Sequence, residues 1–303
     1  MKTKGLFAPG YYPDFACIKG DCHHSCCIGW EIDVDDATLT KYASVQGEIG
    51  EDIRKSIDMD NVPHFRLVEE RCPHLQKDGL CRILCELSSD YLSDICRLHP
   101  RFFGVSARGV EVGLGASCEE ACRIILSSDD YDKLIMIGEE EAPDVPFDVT
   151  PMRDKVYSIL KKKTPYKERL TEIADTFSAD VRILSDEEWR EILSSLEYLE
   201  DRHIDLFHSY SGAIDDGNAD NLLERALAYF VYRHTMGAES AEEFRTGLIF
   251  ALFCERLLAS VIKDKRTSKF FDVRESLRIV SEEIEYSTEN KDRIISEIEF
   301  ALQ

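Results

Sequence analysis

Cysteines are concentrated at one end of the chain in a pattern that predicts metal chemistry. Eleven cysteines occur among 303 residues, and ten of them lie in the first 122 positions. Thiolates bind soft metals, whereas cysteines that merely fill a core are usually scattered. The stretch DCHHSCCIGWEID, residues 21–33, places three of the ten beside two histidines. We therefore predict a metal or iron–sulfur centre in this part of the chain, and a core position for the isolated Cys254.

The spacing of these cysteines leaves the identity of the metal open. Structural zinc sites usually carry C-x2-C or C-x4-C pairs, and ferredoxins carry a denser run. The chain has no C-x2-C pair, a C-x4-C pair at Cys17 and Cys22, and three C-x3-C pairs. His23 and His24 are further candidate ligands, although adjacent histidines in a loop are more often solvated. Zinc and an iron–sulfur cluster are both consistent with this pattern.

A disulfide framework is the alternative use of so many cysteines. The first residues, MKTKGLFAPGYYPDF, contain no apolar run of the length that a secretion signal needs. No segment approaches the ~18 apolar residues of a transmembrane helix. We therefore expect a cytoplasmic chain without membrane contact, where reducing thiol pools disfavour stable disulfides.

Four stretches of the first 126 residues together resemble a known family. They are YPDFACIKGDCHHSCCIGWEIDVD (12–35), CPHLQKDGLCRI (72–83), YLSDICRLHPRFFG (91–104) and LGASCEEACRIIL (114–126). This order of motifs is similar to that of the flagellin lysine-N-methylases, whose N-terminal part resembles small zinc- or iron-chelating cysteine domains. NLLERALAYFVYRH (221–234) and SEEIEYSTENKDRI (281–294) resemble the C-terminal helical region of the same family.

The resemblance implies a methyltransferase that moves a methyl group from S-adenosylmethionine to surface lysines of flagellin. It also implies an iron–sulfur cluster, of the four-iron type, held by cysteines of the first domain. Cys85 and Cys122 each follow a pattern cysteine by one helical turn, and we favour a packing role for both. The candidate metal ligands are the eight cysteines that match the family pattern: Cys17, Cys22, Cys26, Cys27, Cys72, Cys81, Cys96 and Cys118.

Methyl transfer to lysine constrains the other candidate residues. Lysine is an ammonium at neutral pH, and only the free amine can attack the methyl group. Tyr12 and Asp14 are the catalytic candidates, because an aromatic ring and a carboxylate both attract an ammonium. Arg97 and Arg101 are candidates for binding the cofactor carboxylate. The competing interpretation is structural: aromatic packing around Tyr12, and ion pairs for the two arginines.

A site for S-adenosylmethionine is not evident from the sequence. A Rossmann-type methyltransferase carries a glycine-rich turn after a strand and continues with alternating helices and strands. VEVGLGASC, residues 110–118, contains Gly-x-Gly, but no such alternation follows, and we interpret it as a tight turn before Cys118. The cofactor therefore binds either in a non-Rossmann site or at the cluster itself.

The elements that position these residues are predicted to be mainly α-helical. We expect a cysteine-rich metal-binding domain of short helices over 1–137, with a small hairpin at 103–115. A proline-rich acidic linker over 138–151 and an all-α domain over 152–303 follow. Ser185 and Ser240 each precede a glutamate by three residues and predict capping boxes that open helices. Further helices are predicted near 220–236, 272–285 and 288–302.

Charge narrows the choice of partners. The net charge is −22, with −6 over residues 1–126 and −16 over residues 127–303. Such a chain repels nucleic acid and attracts a lysine-rich partner. The alternative function is a non-enzymatic zinc- or iron-binding module with an acidic helical domain for partner docking. A third reading is a methyltransferase of the family whose substrate has changed. The oligomeric state stays open.

Overall fold

The computed structural model describes residues 1–213, 219–264 and 269–303. This part of the chain is mainly helical with some sheet. The strands are β1 (Lys2–Pro9), β2 (Ile57–Asp58), β3 (His64–Phe65), β4 (Arg101–Val105), β5 (Gly109–Leu114) and β6 (Leu134–Ala142). The helices are α1 (Asp36–Ser44), α2 (Gly47–Ser56), α3 (Arg82–Glu86), α4 (Asp94–Leu98), α5 (Glu119–Ser127), α6 (Thr150–Leu160), α7 (Tyr166–Phe177), α8 (Asp186–Ser194), α9 (Arg202–Phe207), α10 (Asp220–Thr235), α11 (Ala241–Asp264), α12 (Phe270–Val280) and α13 (Thr288–Ala301).

The chain separates into two compact units, and one is inserted in the sequence of the other. Ala16–Arg101 forms the first, which we call the thiol unit. Met1–Phe15 and Phe102–Gln303 together form the second, the sheet–helix unit. Among the described helices, none has the length and apolar character needed to cross a membrane.

The thiol unit has a small apolar core held by α1, α2 and the β2–β3 pair. The core side chains are Ile32, Val34, Tyr42, Ile53, Ile57, Phe65, Cys72 and Ile83. Asp35 begins α1 because its carboxylate accepts the Thr38 N–H at 2.9 Å. The second oxygen of the same carboxylate accepts the Asp94 N–H, also at 2.9 Å, so Asp35 ties the start of α4 to α1.

Within the described residues, four strands form one sheet in the sheet–helix unit, in the order β4, β5, β1, β6. β1 runs parallel to β5 and antiparallel to β6, so the N-terminal strand lies inside the sheet. β4 and β5 form the predicted hairpin, closed by hydrogen bonds between Ser106 and Gly109. Gly109 has φ +153°, and a Cβ there would lie 2.2 Å from the Gly5 carbonyl oxygen, so only glycine fits.

Helix α11 is the centre of the helical layer. The predicted apolar stripe, which includes Phe244, Leu248 and Leu258, is buried as expected. The opposite side is buried too, as Ile249 and Phe253 show, because α11 is surrounded by other helices. Cys254 is fully buried in this core, which confirms its predicted packing role.

Two charged side chains are buried where the sheet meets the helices. The Arg153 guanidinium contacts both carboxylate oxygens of Glu111, at 2.8 and 2.9 Å, and neither side chain is exposed at all. The guanidinium also lies 4.9 Å from the centre of the Tyr232 ring. This pair joins β5 to α6 inside an otherwise apolar region.

Local helix signals were predicted well. The capping box at Ser185 is present in full, with Ser185 and Glu188 each accepting the other's backbone N–H. At Ser240 the box is half formed: its hydroxyl accepts the Glu243 N–H, but the Glu243 carboxylate accepts from Glu239 instead. The helices predicted near 220–236 and 288–302 are α10 and α13. The segment predicted at 272–285 is α12 followed by a π-helical turn, Ser281–Glu285.

The division into units differs from the predicted domain boundaries. Part of the predicted 138–151 linker is strand β6, which pairs with β1 from Lys2 to Pro9. The hairpin, predicted inside the domain 1–137, is in the sheet–helix unit, and the helices of 152–303 share that unit with a sheet. The acidic run at 139–141 is typical of a linker by composition, but pairing with a strand more than 130 positions away overrides this local preference.

Candidate metal centre

Four cysteines of the thiol unit come together from separate parts of its sequence. Cys27 lies in the loop after Gly20, Cys72 follows a tight turn, Cys81 is the N-cap residue of α3, and Cys96 lies within α4. All four border the small core of the unit. The structure therefore brings thiols from four separate parts of the sequence to the border of one small core.

Backbone hydrogen bonds fix Cys27 beside Cys72. The Cys72 N–H donates to the Cys27 carbonyl oxygen at 2.8 Å, and the Gly29 N–H donates to Glu70 at 2.8 Å. The chain reaches Cys72 through a turn at Glu69 and Glu70, whose φ angles are 51° and 58°. Two consecutive left-handed residues without glycine store strain, and such strain often occurs next to functional sites.

Cys81 and Cys96 are positioned by helix starts. The Leu75–Cys81 bridge and the Arg82 N–H to His74 hydrogen bond, 2.8 Å, bring the start of α3 back to the segment after Cys72. Arg82 holds α3 to α2 through its ion pair with Asp52, 2.8 Å. Cys96 is fixed through α4, whose first N–H is bound by Asp35 of the α1 cap.

The four thiols are close enough to alter one another's pKa. Burial first, and then the Cys27, Cys96 and Cys81 thiols, raise the pKa of Cys72 to about 12. Burial likewise raises the pKa of Cys96 to about 11, with contributions from Cys27 and Cys81. The pKa of Cys81 is also raised, first by burial and then by Cys27 among its neighbours. Every pair among the four is thus in electrostatic contact.

Cys27 differs from the other three because its thiolate is stabilised. A hydrogen bond from the Cys26 thiol lowers the pKa of Cys27 to about 7, against the effect of burial. The Ser25 hydroxyl and the nearby Arg71 guanidinium lower it as well. The thiolate is the form that binds metals and attacks electrophiles. Cys27 is therefore the thiol of this group that is most readily available at neutral pH.

A buried tyrosine hydroxyl lies within electrostatic reach of the same thiols. Tyr42 is 1% exposed, and its hydroxyl makes no hydrogen bond with any residue that the structure describes. Burial raises the pKa of Tyr42, and Cys96, Cys81 and Cys72, which border the same small core, raise it further. A buried hydroxyl normally has a partner, so an acceptor between Tyr42 and the thiols would satisfy it. Sequence reasoning missed Tyr42, whose position on α1 carries no motif.

The thiols are not arranged around one ion. In the part of the chain that the structure describes, no group of three or more His, Cys, Asp or Glu side chains could hold a metal ion. An iron–sulfur cluster requires a wider spacing of the cysteine sulfur atoms, because each cysteine binds a different iron. The donor set is entirely sulfur, which suits an iron–sulfur cluster or another soft centre.

The remaining predicted ligands differ in position. Cys17 and Cys26 are exposed and Cys22 is half-buried; Cys26 lies within electrostatic reach of Cys17 and Cys96. Cys118, in contrast, is the N-cap residue of α5 in the sheet–helix unit. The structure therefore places Cys27, Cys72, Cys81 and Cys96 at one small core, with Cys26 hydrogen-bonded to Cys27.

The two extra cysteines have different surroundings. Cys122 is fully buried, and its thiol donates to the Ala116 carbonyl oxygen at 2.7 Å, in line with the favoured packing role. Cys85 is exposed on α3, so it does not pack in the core. Packing therefore explains one of the two.

The predicted catalytic and cofactor residues are spread over both units. Tyr12 and Asp14 form a short 3-10 turn of the sheet–helix unit; Tyr12 packs on the core and Asp14 is exposed near Arg123. Arg97 is exposed and pairs with Asp94 at 2.5 Å, which is the structural role that we weighed for it. Arg101 ends the thiol unit and starts β4.

Fold and site together define a class: a cysteine-rich unit with converging thiols, inserted into a larger acidic unit of sheet and helices. Among curated proteins, the flagellar biosynthetic protein FliU of Salmonella muenchen is 28% identical over 155 residues, which cover 47% of this chain and 87% of that protein. Lysine-N-methylases of Salmonella choleraesuis and Salmonella typhimurium are each 28% identical over 138 residues, covering 43% of this chain.

The aligned region covers 34% of each of these lysine-N-methylases, so the chain spans about a third of their length. No protein-family model and no solved structure matches the chain. The matches support a relationship between this chain and the lysine-N-methylases, in agreement with the resemblance of its cysteine motifs.

Proposed function

We propose that the protein is a lysine N-methyltransferase that uses S-adenosylmethionine and acts on flagellin. We further propose that its thiol unit holds an iron–sulfur cluster through Cys27, Cys72, Cys81 and Cys96. The convergence of these four thiols is the observation that carries the proposal, and the similarity to proteins named lysine-N-methylase and FliU supports the reaction and the substrate.

Two features favour a cluster over a single zinc ion, because an all-sulfur donor set suits either centre. The thiols interact with one another without forming an ion-sized group among the described residues. The Tyr42 hydroxyl has no hydrogen-bond partner among the described residues, and an inorganic sulfide between the thiols would accept its hydrogen bond. Either centre would remove the protons of Cys72 and Cys96, whose pKa values are raised.

The reaction requires a neutral lysine amine held in line with the methyl group. A cluster held by all four thiolates has no open iron, so it would supply coordination for the amino and carboxylate groups of S-adenosylmethionine only if one of the four thiolates left its iron. The protein's own residues would attract the lysine and lower its pKa. Asp14 is exposed, and its carboxylate is our candidate for attracting the lysine ammonium. Tyr12 is our candidate for the aromatic ring that contacts the same ammonium. A desolvated lysine then loses its proton more readily.

Mass spectrometry of flagellin lysines tests the proposal. Protein reconstituted anaerobically with iron and sulfide is incubated with flagellin and S-adenosylmethionine, and each lysine is examined for added methyl groups. We expect methylation by the wild type and by Cys254→Ser. We expect loss of both the cluster absorbance and methylation in Cys72→Ser and Cys96→Ser, because these two remove a ligand.

Two outcomes would contradict the proposal. Colourless protein with stoichiometric zinc and no methylation would favour the alternative, a non-enzymatic metal module. Retention of the cluster in both Cys72→Ser and Cys96→Ser would remove these residues from the ligand set. The variant Asp14→Asn separates lysine binding from cluster binding: we expect an unchanged cluster and a raised KM for the lysine substrate.

A further inference from the structure

Strand β6 forms an open edge of the sheet. It pairs with β1 along one side over nine residues, Leu134–Ala142. In the described residues no strand lies beyond it, so the backbone N–H and C=O groups of its outer side have no partner strand. An open edge is the surface on which proteins bind extended segments by strand addition.

The pairing register shows which side chains such a segment would meet. Glu139 lies opposite Gly5 and Glu141 opposite Thr3, on the same face of the sheet as Met136. Met136 is 65% exposed, whereas Ala8, on the other face, is fully buried. The face that carries Glu139, Glu141 and Met136 is therefore the solvent face of the edge.

The carboxylates of this edge are not neutralised. Glu139, Glu140 and Glu141 are all exposed, and none makes an ion pair with another residue of the described chain. Lys4, the cross-strand partner of Glu140, and Lys2 both pair with Asp144, at 3.3 and 2.6 Å. The edge therefore keeps the charge of all three carboxylates.

This charge selects the partner. Like charges opposite each other on a sheet repel, so two copies of this edge do not pair with each other. Lysines opposite Glu139 and Glu141 would be attracted, and they would have to be two residues apart in an extended chain. The bulge of β6 between its partners Leu6 and Phe7 interrupts the ladder, which confines regular pairing to 138–142.

We propose that the outer edge of β6 docks an extended, lysine-bearing segment of the protein substrate by strand addition. The segment would pair its backbone with residues 138–142 and place alternate lysines against Glu139 and Glu141. The identity of the segment as substrate rests on the proposed methyltransferase function, whereas the docking itself does not.

Binding measurements test the docking without any methyl transfer. The probe is a short fluorescent peptide with lysines two residues apart and valine or threonine between them. We compare the wild type, Glu139→Gln/Glu141→Gln, and a control, Glu187→Gln/Glu191→Gln, which removes the same charge from exposed positions of α8. We expect about tenfold weaker binding by the edge variant, from the loss of two cross-strand charge pairs, and less than about twofold by the control.

A second peptide separates strand addition from simple charge attraction. It has the same sequence, but alternate backbone nitrogens carry methyl groups, so it keeps its charge and loses one hydrogen-bonding edge. We expect it to bind at least about tenfold more weakly, and we expect the unmethylated peptide to slow amide hydrogen exchange in 138–142. Equal binding of both peptides, or an equal effect of the edge and control variants, would overturn the docking proposal.

The methylation assay distinguishes the two proposals. If flagellin is methylated equally by the wild type and the edge variant, the function stands and the docking of the substrate on β6 is wrong. If the peptide binds as expected but no lysine of flagellin is methylated, the docking stands and the proposed function is wrong.

Discussion

The buried pair of Glu111 and Arg153 permits a quantitative test of the fold. We consider Glu111→Gln, which preserves the shape of the side chain and removes its charge. The Arg153 guanidinium would stay charged in a site where neither side chain is exposed, and it would face an amide NH2 group in place of one carboxylate oxygen. The Tyr232 ring would remain as its other contact.

The magnitude follows from the cost of an unpaired buried charge. Removing one partner of a buried ion pair costs about 3–5 kcal/mol. The sheet–helix unit comprises Met1–Phe15 and Phe102–Gln303, in the size range where each kcal/mol lowers Tm by about 2–4 °C. We therefore expect Tm to fall by about 6–20 °C.

Fluorescence of Trp189 provides the assay. Trp189 is 1% exposed in the core of the sheet–helix unit, and Trp30, the other tryptophan, lies in the thiol unit. In a Trp30→Phe background, urea unfolding followed by fluorescence reports the free energy of unfolding around Trp189. The double variant Glu111→Leu/Arg153→Met replaces the pair by apolar side chains and should recover most of the lost stability.

The reasoning would be refuted by a loss below about 1 kcal/mol in Glu111→Gln. It would be refuted equally by a double variant as unstable as the single one, because the cost would then arise from packing and not from the unpaired charge.

Three further predictions concern local features. Burial raises the pKa of Asp35, but hydrogen bonds from Asp94 and Thr38 outweigh it, so the pKa is lowered. The Asp35 carboxylate therefore contributes to folding stability above its unfolded pKa of about 3.9, and this contribution is lost as pH falls further. Asp35→Ala should destabilise α1 and α4 by about 1 kcal/mol at pH 7 and by less at pH 3, measured by amide hydrogen exchange. Glu69→Asn/Glu70→Gly should relieve the left-handed turn and stabilise the thiol unit by about 1–2 kcal/mol in urea unfolding; a loss of stability would contradict the strain. Ser185→Ala should cost about 1 kcal/mol in unfolding followed by Trp189, against no change for Ser158→Ala on exposed α6 surface.

Features that depend on neighbours in sequence were predictable. The capping box at Ser185, the apolar stripe of α11 and the hairpin at 103–115 each follow from residues within a few positions of one another. Strands β1 and β6 were not predicted, because their stability comes from pairing between residues 125 to 140 positions apart. Glutamate also has a low intrinsic preference for strands, so the glutamates of β6 by themselves argue against a strand there.

In the candidate site, too, contacts between distant parts of the chain could not be predicted from local sequence. The number and clustering of cysteines predicted a thiol-rich centre, but the spacing did not separate Cys27, Cys72, Cys81 and Cys96 from the other pattern cysteines. Their grouping depends on the strained turn before Cys72 and on the Asp35 link to α4, which fold together parts of the chain about 60 positions apart. Nothing in the sequence around Tyr42 indicates that its hydroxyl lies within electrostatic reach of the thiols.

The inner place of β1 in the sheet sets an order of events during synthesis. Both neighbours of this strand, β5 and β6, are made only after the whole of Ala16–Arg101. At about 5–20 residues per second, the N-terminal strand waits several seconds for its partners. The nascent thiol unit has that interval to gather its cysteines while β1 is still unpaired.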